Sequence, residues 1–242
     1  MPLRRTLFIS DLHLDAPRPE ATARFEKFLD EVVPGADALY ILGDLFEYWA
    51  GDDGLALAFP HRVAEDLKRA ASRLPVRFMR GNRDFLVADA FSKATGVELI
   101  DDPTTVDLYG RKALLMHGDT LCTDDREYQA FRSQVRNPKW QQAILARPLS
   151  ERIKMAEGLR AESETSKAGK SMQIMDVSPA AVEKAFADSG VDLIIHGHTH
   201  RPAHHRHAVD GRARERWVLP EWYGPGGYLE ASPEGIRAIG AP

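Results

Sequence analysis

The chain has almost no sulfur chemistry available to it: Cys122 is the one cysteine among 242 residues, which excludes an internal disulfide framework and suits a reducing compartment. It lacks any run of about eighteen apolar residues, so no segment reads as a bilayer-spanning helix, although lying on a membrane stays open. It lacks an excess of positive charge: 32 Lys and Arg stand against 36 Asp and Glu, a formal -4 that gives no general electrostatic reason to bind nucleic acid. Internal repeats and low-complexity tracts are absent, which excludes a solenoid or a compositionally disordered chain.

What is present is the balance of one globular domain with room for an insertion, with 43% hydrophobic and 28% charged residues. At the amino terminus, "TLFIS" is too short for the apolar core of a signal segment and meets "DLH" at once. A strand is expected there, and the cytoplasm is the default compartment.

Short β-rich runs end in polar residues along the chain: "TLFIS" before Asp11, "ALYILG" before Asp44, "VRFMRG" before Asn82, "KALLMHG" around His117 and "VDLIIHG" before His198. Helical periodicity over residues 22–33 and 62–74 alternates with them, the rhythm of a layered α/β protein. From residue 123 to 176 that rhythm stops, and a polar, helix-prone segment reads as an inserted cap on a core of residues 1–122 and 177–242. In the cap, Trp140, Ile144, Leu145, Leu149, Ile153 and Leu159 form an uneven apolar stripe that Pro148 should kink, and packing on the body is its simplest use.

The polar strand ends form one set. "SDLHL" supplies Asp11 and His13, "LGDLFE" Asp44, "RGNRDF" Asn82, Arg83 and Asp84, "MHGDT" His117, and "HGHTH" His196, His198 and His200. Side chains at strand ends converge on one edge of such a sheet. Carboxylate, imidazole and amide oxygen together suit a borderline divalent ion such as Mn, Fe or Zn. About seven candidate ligands exceed what one tetrahedral catalytic ion takes from protein, so two ions with a bridging carboxylate are expected. Such a pair lowers the pKa of a shared water and steadies both oxygens of an in-line displacement at phosphorus, making phosphoester or phosphoanhydride hydrolysis the natural reaction.

These blocks resemble the calcineurin-like metallophosphoesterases, whose pattern is D-x-H, G-D, G-N-[HR], a His, then G-H-x-H. The resemblance implies a four-layer αββα sandwich. It also implies one metal held by Asp11, His13, Asp44 and His200, a second held by Asp44, Asn82, His117 and His198, and Asp44 as the bridge. His196 falls outside the pattern and reads as a support.

Along nearly the whole chain, "SDLHLDAPRPEAT", "GDLFEYWAGDD", "GNRDFLV", "HGDTLCTDDREYQAFR", "KSMQIMDV" and "IHGHTHRPAHH" are similar to the UDP-2,3-diacylglucosamine pyrophosphatase family of lipid A biosynthesis. That resemblance implies two Mn2+ and cleavage to UMP and 2,3-diacylglucosamine 1-phosphate (lipid X) by a metal-bridging hydroxide attacking the α-phosphorus. It further implies peripheral attachment to the cytoplasmic face of the inner membrane, with no nucleic acid and no obligatory protein partner. Asn82, Arg83 and His198 would hold the diphosphate, with Asp44 as the remaining catalytic group. Asp125, Ser163, Lys167 and Lys170 would line the UDP-glucosamine site, and the cap's apolar stripe would border the acyl chains. Arg83 replaces the more usual His; the departing phosphate leaves as an anion and asks for a fixed cation more than a proton donor. Lys167 stands where a small polar residue is usual, and "LVADAF" and "LPEWY" also depart from the pattern.

Cys122 reads as a buried small residue rather than a nucleophile. Phe46, Tyr48 and Trp49 suit either uracil stacking or the core. His61, His204, His205 and His207 read as structural or solvent-facing, while Glu47, Asp52 and Asp53 have no assigned role. The rival readings are a nucleotide phosphodiesterase of the same fold, a non-catalytic scaffold and a nuclease.

Overall fold

The computed structural model describes residues 4–168 and 174–242, with the side chains of all of these except 162–168. In chain order the elements are β1 (Thr6–Ile9), α1 (Pro19–Lys27), β2 (Ala38–Leu42), α2 (Ala58–Ala71), β3 (Val76–Met79), α3 (Asp89–Thr95), β4 (Glu98–Ile100), β5 (Thr104–Leu108) and β6 (Arg111–Met116). Then follow α4 (Arg126–Val135), α5 (Pro138–Leu145), α6 (Leu149–Ala168), α7 (Pro179–Ser189), β7 (Leu193–His196), β8 (Ala203–Val209), β9 (Arg212–Val218), β10 (Gly227–Ser232) and β11 (Gly235–Gly240).

The strands form two sheets, ordered β11-β10-β1-β2-β3-β4 and β5-β6-β7-β9-β8. Their central strands are short, apolar and buried on both faces, and period-2 alternation divides each between two cores. In the first sheet Leu7, Ile9, Leu39, Ile41 and Phe78 face outward onto Phe25 of α1 and Phe28 just after it, and onto Val63 and Leu67 of α2. Their neighbours Phe8, Tyr40, Leu42 and Met79 face inward and meet Leu115, Leu193 and Ile195 of the second sheet. The other face of that second sheet, Leu114, Met116 and Ile194, is covered by Val182 and Phe186 of α7. The layers are thus helix, sheet, sheet, helix, the expected αββα sandwich.

The central strands β1 to β4 are mutually parallel, as are β6, β7 and β9. Parallel pairing puts all the carboxyl ends of a sheet at one edge, and the two sheets bring those edges together. The motif residues follow β1, β2, β3, β6 and β7.

The segment from α4 to α6 differs from a single kinked stripe. Pro148 has no N–H to donate, so the chain breaks there: α5 ends at Leu145 and α6 begins at Leu149. Asn137 caps α5 by accepting from Lys139 N at 2.9 Å, with Pro138 at the first helical position. The stripe is divided accordingly. Ile144 is buried and Trp140 packs beside Phe85, whereas Leu145 is 40% exposed. Among the described residues no helix is long and apolar enough to cross a membrane.

Candidate metal centre and its cavity

Among the described residues seven that are not glycine have positive φ, and five of them are motif residues: Asp11 (55°), His13 (50°), Asp44 (53°), His198 (68°) and His200 (54°). A side chain in the left-handed region is strained, and the surrounding structure must over-determine it. Here adjacent loops do so. Asp11 N donates to Gly43 O at 3.1 Å, His13 N to Asp44 O at 2.9 Å and Gly197 N to His117 O at 2.9 Å. His198 N crosses between the sheets to donate to Asp11 Oδ2 at 2.9 Å, and Ser10 Oγ donates to the same oxygen at 2.5 Å. Glycine is required where these loops touch: a Cβ on Gly81 would run into Asp44, and one on Gly197 into Asp11 and Ser10.

The strain points the donor atoms at one another. Asp11, His13 and His200 form one group, and Asp11, Asp44 and His117 another, the ligand atoms in each lying within 4.8 Å. His13 Nε2 faces His200 Nε2 at 3.2 Å. Asp44 spans both groups, with Oδ2 3.8 Å from His13 Nε2 and Oδ1 3.7 Å from His117 Nε2. Asn82 Oδ1 meets His117 Nε2 at 2.9 Å and His198 Nδ1 at 2.8 Å. His117 is oriented from behind, its Nδ1 facing Leu42 O at 2.9 Å, which turns Nε2 toward Asn82 and Asp44.

This donor set fits divalent cations. Asp11 Oδ1 is buried and accepts no hydrogen bond among the described residues, and His200 Nε2 lies 3.6 Å from it. Converging carboxylate oxygens and imidazole nitrogens are the arrangement a borderline ion takes. The electrostatics agree. Burial alone would push His117 down, yet Asp44, Asp119 and Asp11 hold its pKa up at about 9. His198, buried beside His117, is pushed down to about 3. The structure brings all seven sequence-assigned ligands together, and it places Asp11 in both acidic groups.

Other residues of the rim act on the ligands. Asp84 turns away from the centre and accepts from Gly81 N and Leu45 N, both at 2.7 Å, so it staples the β2 and β3 loops together. Burial and the Asp44 charge push its pKa up to about 7. His196 is buried among backbone and cation: Nδ1 faces Gly197 O and Nε2 faces Arg216 Nη1, both at 2.9 Å. Burial and that guanidinium push it down to about 3. Asp52 accepts from Trp49 Nε1 at 3.0 Å and Phe91 N at 2.9 Å, and Asp53 pairs with Arg152, which keeps the Asp53 carboxyl below its usual range.

The residues that sequence reading missed sit mostly on or beside helices α4 and α6. Tyr128 of α4 donates to Asp119 Oδ2 at 2.7 Å, and its ring lies 5.5 Å from that of His198. Arg132 joins the same oxygen at 2.7 Å, and Arg136 donates to Arg80 O and Gly81 O at 3.1 and 2.9 Å. Arg160 of α6 reaches Glu47. In sequence these are ordinary helix-surface arginines; a repeat of basic residues at 132, 136 and 160 carries no signal until the fold gives them acceptors.

Between the candidate metal centre and helices α4 to α6 lies a cavity of about 650 Å3. His13, Asp44, Asn82, Arg83, His198 and His200 form its polar end, while Trp49, Phe85, Phe131, Trp140, Met155 and Leu159 form an apolar wall. Asp125 lines it as well, and also caps α4 by accepting from Tyr128 N at 3.1 Å. Ser163 and Lys167 lie on α6 at positions whose side chains are not described, and Lys170 lies outside the described residues. Of the aromatic trio, Phe46 and Trp49 are core residues packed with Phe91, and Tyr48 borders the cavity.

Comparison with known proteins agrees with this geometry. The family described as Calcineurin-like phosphoesterase matches residues 4–202. The UDP-2,3-diacylglucosamine hydrolase of Cellvibrio japonicus is 50% identical over 232 residues, 96% of each chain. That of Stenotrophomonas maltophilia is 50% identical over 238 residues, 95% of this chain and 96% of its own. Among solved structures, Vacuolar Protein Sorting 29 of Cryptosporidium parvum superposes with a TM-score of 0.51 at 14% identity, covering 100% of this chain and 88% of that one, a likeness of fold. The chain therefore belongs to the calcineurin-like phosphoesterases and, within them, to the UDP-2,3-diacylglucosamine hydrolase family of metal-dependent hydrolases.

Proposed function

We propose that this chain hydrolyses the pyrophosphate of UDP-2,3-diacylglucosamine, giving UMP and 2,3-diacylglucosamine 1-phosphate, with two Mn2+ held by Asp11, His13, Asp44, Asn82, His117, His198 and His200. The observation that carries the reading is one continuous cavity with a ligand-lined polar end and an apolar wall. Such a shape suits a phosphoanhydride that bears hydrocarbon chains better than it suits a soluble nucleotide. The matched relatives bear the name of that same reaction.

When bound, two divalent ions supply an activated water and balance charge on the phosphoryl oxygens. The chain supplies the rest. Arg83, its side chain only 10% exposed, presents a fixed cation at the polar end of the cavity. Its backbone N–H donates to Asp44 Oδ1 at 2.8 Å, so the Asp44 carboxylate and the guanidinium are set by one loop. Asn82 and His198 lie against each other and offer an amide and an imidazole to the same diphosphate. The leaving sugar phosphate departs as an anion, so no proton donor is required.

In this reading residues 123–176 form an inserted cap on a core of residues 1–122 and 177–242, and Asp125, Ser163, Lys167 and Lys170 recognise the UDP-glucosamine part. The enzyme works at the cytoplasmic face of the inner membrane, where a lipid nucleotide is presented. The test is hydrolysis with Mn2+ in oxygen-18 water. Label in UMP is expected from attack at the α-phosphorus, and label in the sugar 1-phosphate overturns it. Turnover of UDP-GlcNAc equal to that of the diacyl substrate would overturn the assignment of the apolar wall.

A further inference from the structure

We infer that Glu47 is a positioning residue: one buried carboxylate that orients the His13 imidazole from behind the metal centre and seats the cap through Arg160. The inference rests on the metal-centre reading above and deepens it.

Glu47 lies three residues beyond Asp44, its N–H donating to Leu14 O at 3.0 Å, and it is 1% exposed. Its Oε2 accepts from Tyr223 Oη at 2.8 Å and Arg18 Nη2 at 3.3 Å, and lies 3.7 Å from His13 Nδ1. Its Oε1 lies 2.8 Å from Arg160 Nε and 4.0 Å from Arg83 Nη1. An anion this deeply buried is tolerable only among cations, and three guanidinium groups surround it. A core would not assemble that many charges for packing alone.

The geometry at His13 gives the arrangement a purpose. His13 Nε2 is turned toward His200 and Asp44, so Nδ1 is the nitrogen on the Glu47 side. At 3.7 Å that nitrogen is outside hydrogen-bond reach of Glu47 Oε2, so the carboxylate acts on the ring through Tyr223, whose hydroxyl donates to it at 2.8 Å. The ring is held flat as well: Tyr223 stacks on it at 4.7 Å and 21°, with the Arg18 guanidinium 4.4 Å from the Tyr223 ring. The second oxygen faces the cap. Arg160, 41% exposed, projects from α6 to reach it, so the carboxylate that orients His13 also fixes where α6 stands over the cavity. Metal affinity and substrate enclosure thereby share one residue.

The experiment titrates Mn2+ into chelator-stripped wild type, Glu47→Ala, Glu47→Gln and Arg160→Met, reading free Mn2+ by EPR. Thermal melting and the kcat and KM for UDP-2,3-diacylglucosamine are measured alongside. Glu47→Ala should weaken Mn2+ binding about 10- to 100-fold, the range for loss of a ligand-orienting carboxylate. Glu47→Gln keeps an acceptor for Tyr223, and with it the ring stacked on His13, but loses the charge facing Arg160, so it should hold Mn2+ within about threefold of wild type while raising KM; that split separates orientation from structure. Arg160→Met should raise KM by the same factor with Mn2+ affinity unchanged, and the double variant with Glu47→Gln should add nothing. A Glu47→Ala that melts lower but binds Mn2+ like wild type makes the residue purely structural and overturns the inference. Should Glu47→Ala not fold, additive KM effects in the double variant overturn it instead. Wild type that binds no divalent ion overturns the metal reading and the inference together.

Discussion

Arg132 Nε donates to Asp119 Oδ2 at 2.7 Å, and by that contact α4 holds the loop that follows His117. The same guanidinium lies 3.5 Å from Asp102, whose Oδ1 accepts the His117 backbone N–H at 3.2 Å. Two buried carboxylates thus share one cation. Arg132→Met leaves both without it, and breaking a buried ion pair on one side is strongly destabilising. Since Arg132 is 21% exposed, the expected loss is about 3 kcal/mol in urea unfolding. Arg132→Lys should recover part of it, because it restores the charge without the fork. Equal stability of Arg132→Met and wild type would show that the triad contributes nothing.

Gly197 illustrates a position where one methyl group decides metal binding. Its Cβ would occupy space taken by Asp11 Oδ2 and Ser10 Oγ, and this carboxylate also receives the His198 N–H. Gly197→Ala should displace Asp11 from both ligand groups and lower Mn2+ affinity at least about tenfold. The helical content by circular dichroism should stay within error, since the substitution lies in a loop. Metal content after dialysis against a Mn2+ buffer measures the effect, and wild-type content would contradict it.

Cys122 borders the cavity yet is 2% exposed, and burial together with Asp119 and Asp176 pushes its thiol up to about 12. A raised thiol pKa disfavours the nucleophilic thiolate. At pH 8 the native thiol is expected to resist iodoacetamide, and in urea, where the pKa returns to about 8.5, to react within minutes. Native reactivity should climb roughly tenfold per pH unit above 8 so long as the fold persists. Mass spectrometry after timed quenching reads this out; a native rate equal to the denatured one would refute the assigned environment.

The strand ends were legible because each obeys a local rule: a short apolar strand, a polar residue, and often a glycine where the turn allows no Cβ. Asp11, His13, Asp44, Asn82, His117, His198 and His200 all lie in such contexts; the strand and helix rhythm showed a layered α/β protein, and its four-layer αββα form was implied by the family resemblance. What local rules cannot give is a partner made by tertiary placement. Arg132, Arg136 and Arg160 look like solvated helix positions until α4 and α6 lie over the rim. Glu47 and Tyr223, 176 residues apart, share a hydrogen bond that no sequence window contains. The apolar stripe was visible as a pattern, but Pro148 splits it, so its members face different neighbours.

The apolar wall of the cavity gives the test of what the cap is for. Leu159 sits on α6 one residue before Arg160, and lines the cavity together with Met155 one turn earlier. A carboxylate there would have to be desolvated by any hydrocarbon chain entering the cavity, which costs more than the about 1–3 kcal/mol of burying a neutral polar group. Leu159→Glu is therefore expected to lower kcat/KM for UDP-2,3-diacylglucosamine by about tenfold or more relative to kcat/KM for UDP-GlcNAc, which brings no chain to that wall. Because Leu159 is only partly buried, the fold should survive the charge, and the melting temperature checks this. An unchanged ratio of the two specificity constants would mean that the acyl chains lie elsewhere and that the wall serves only to pack the cap.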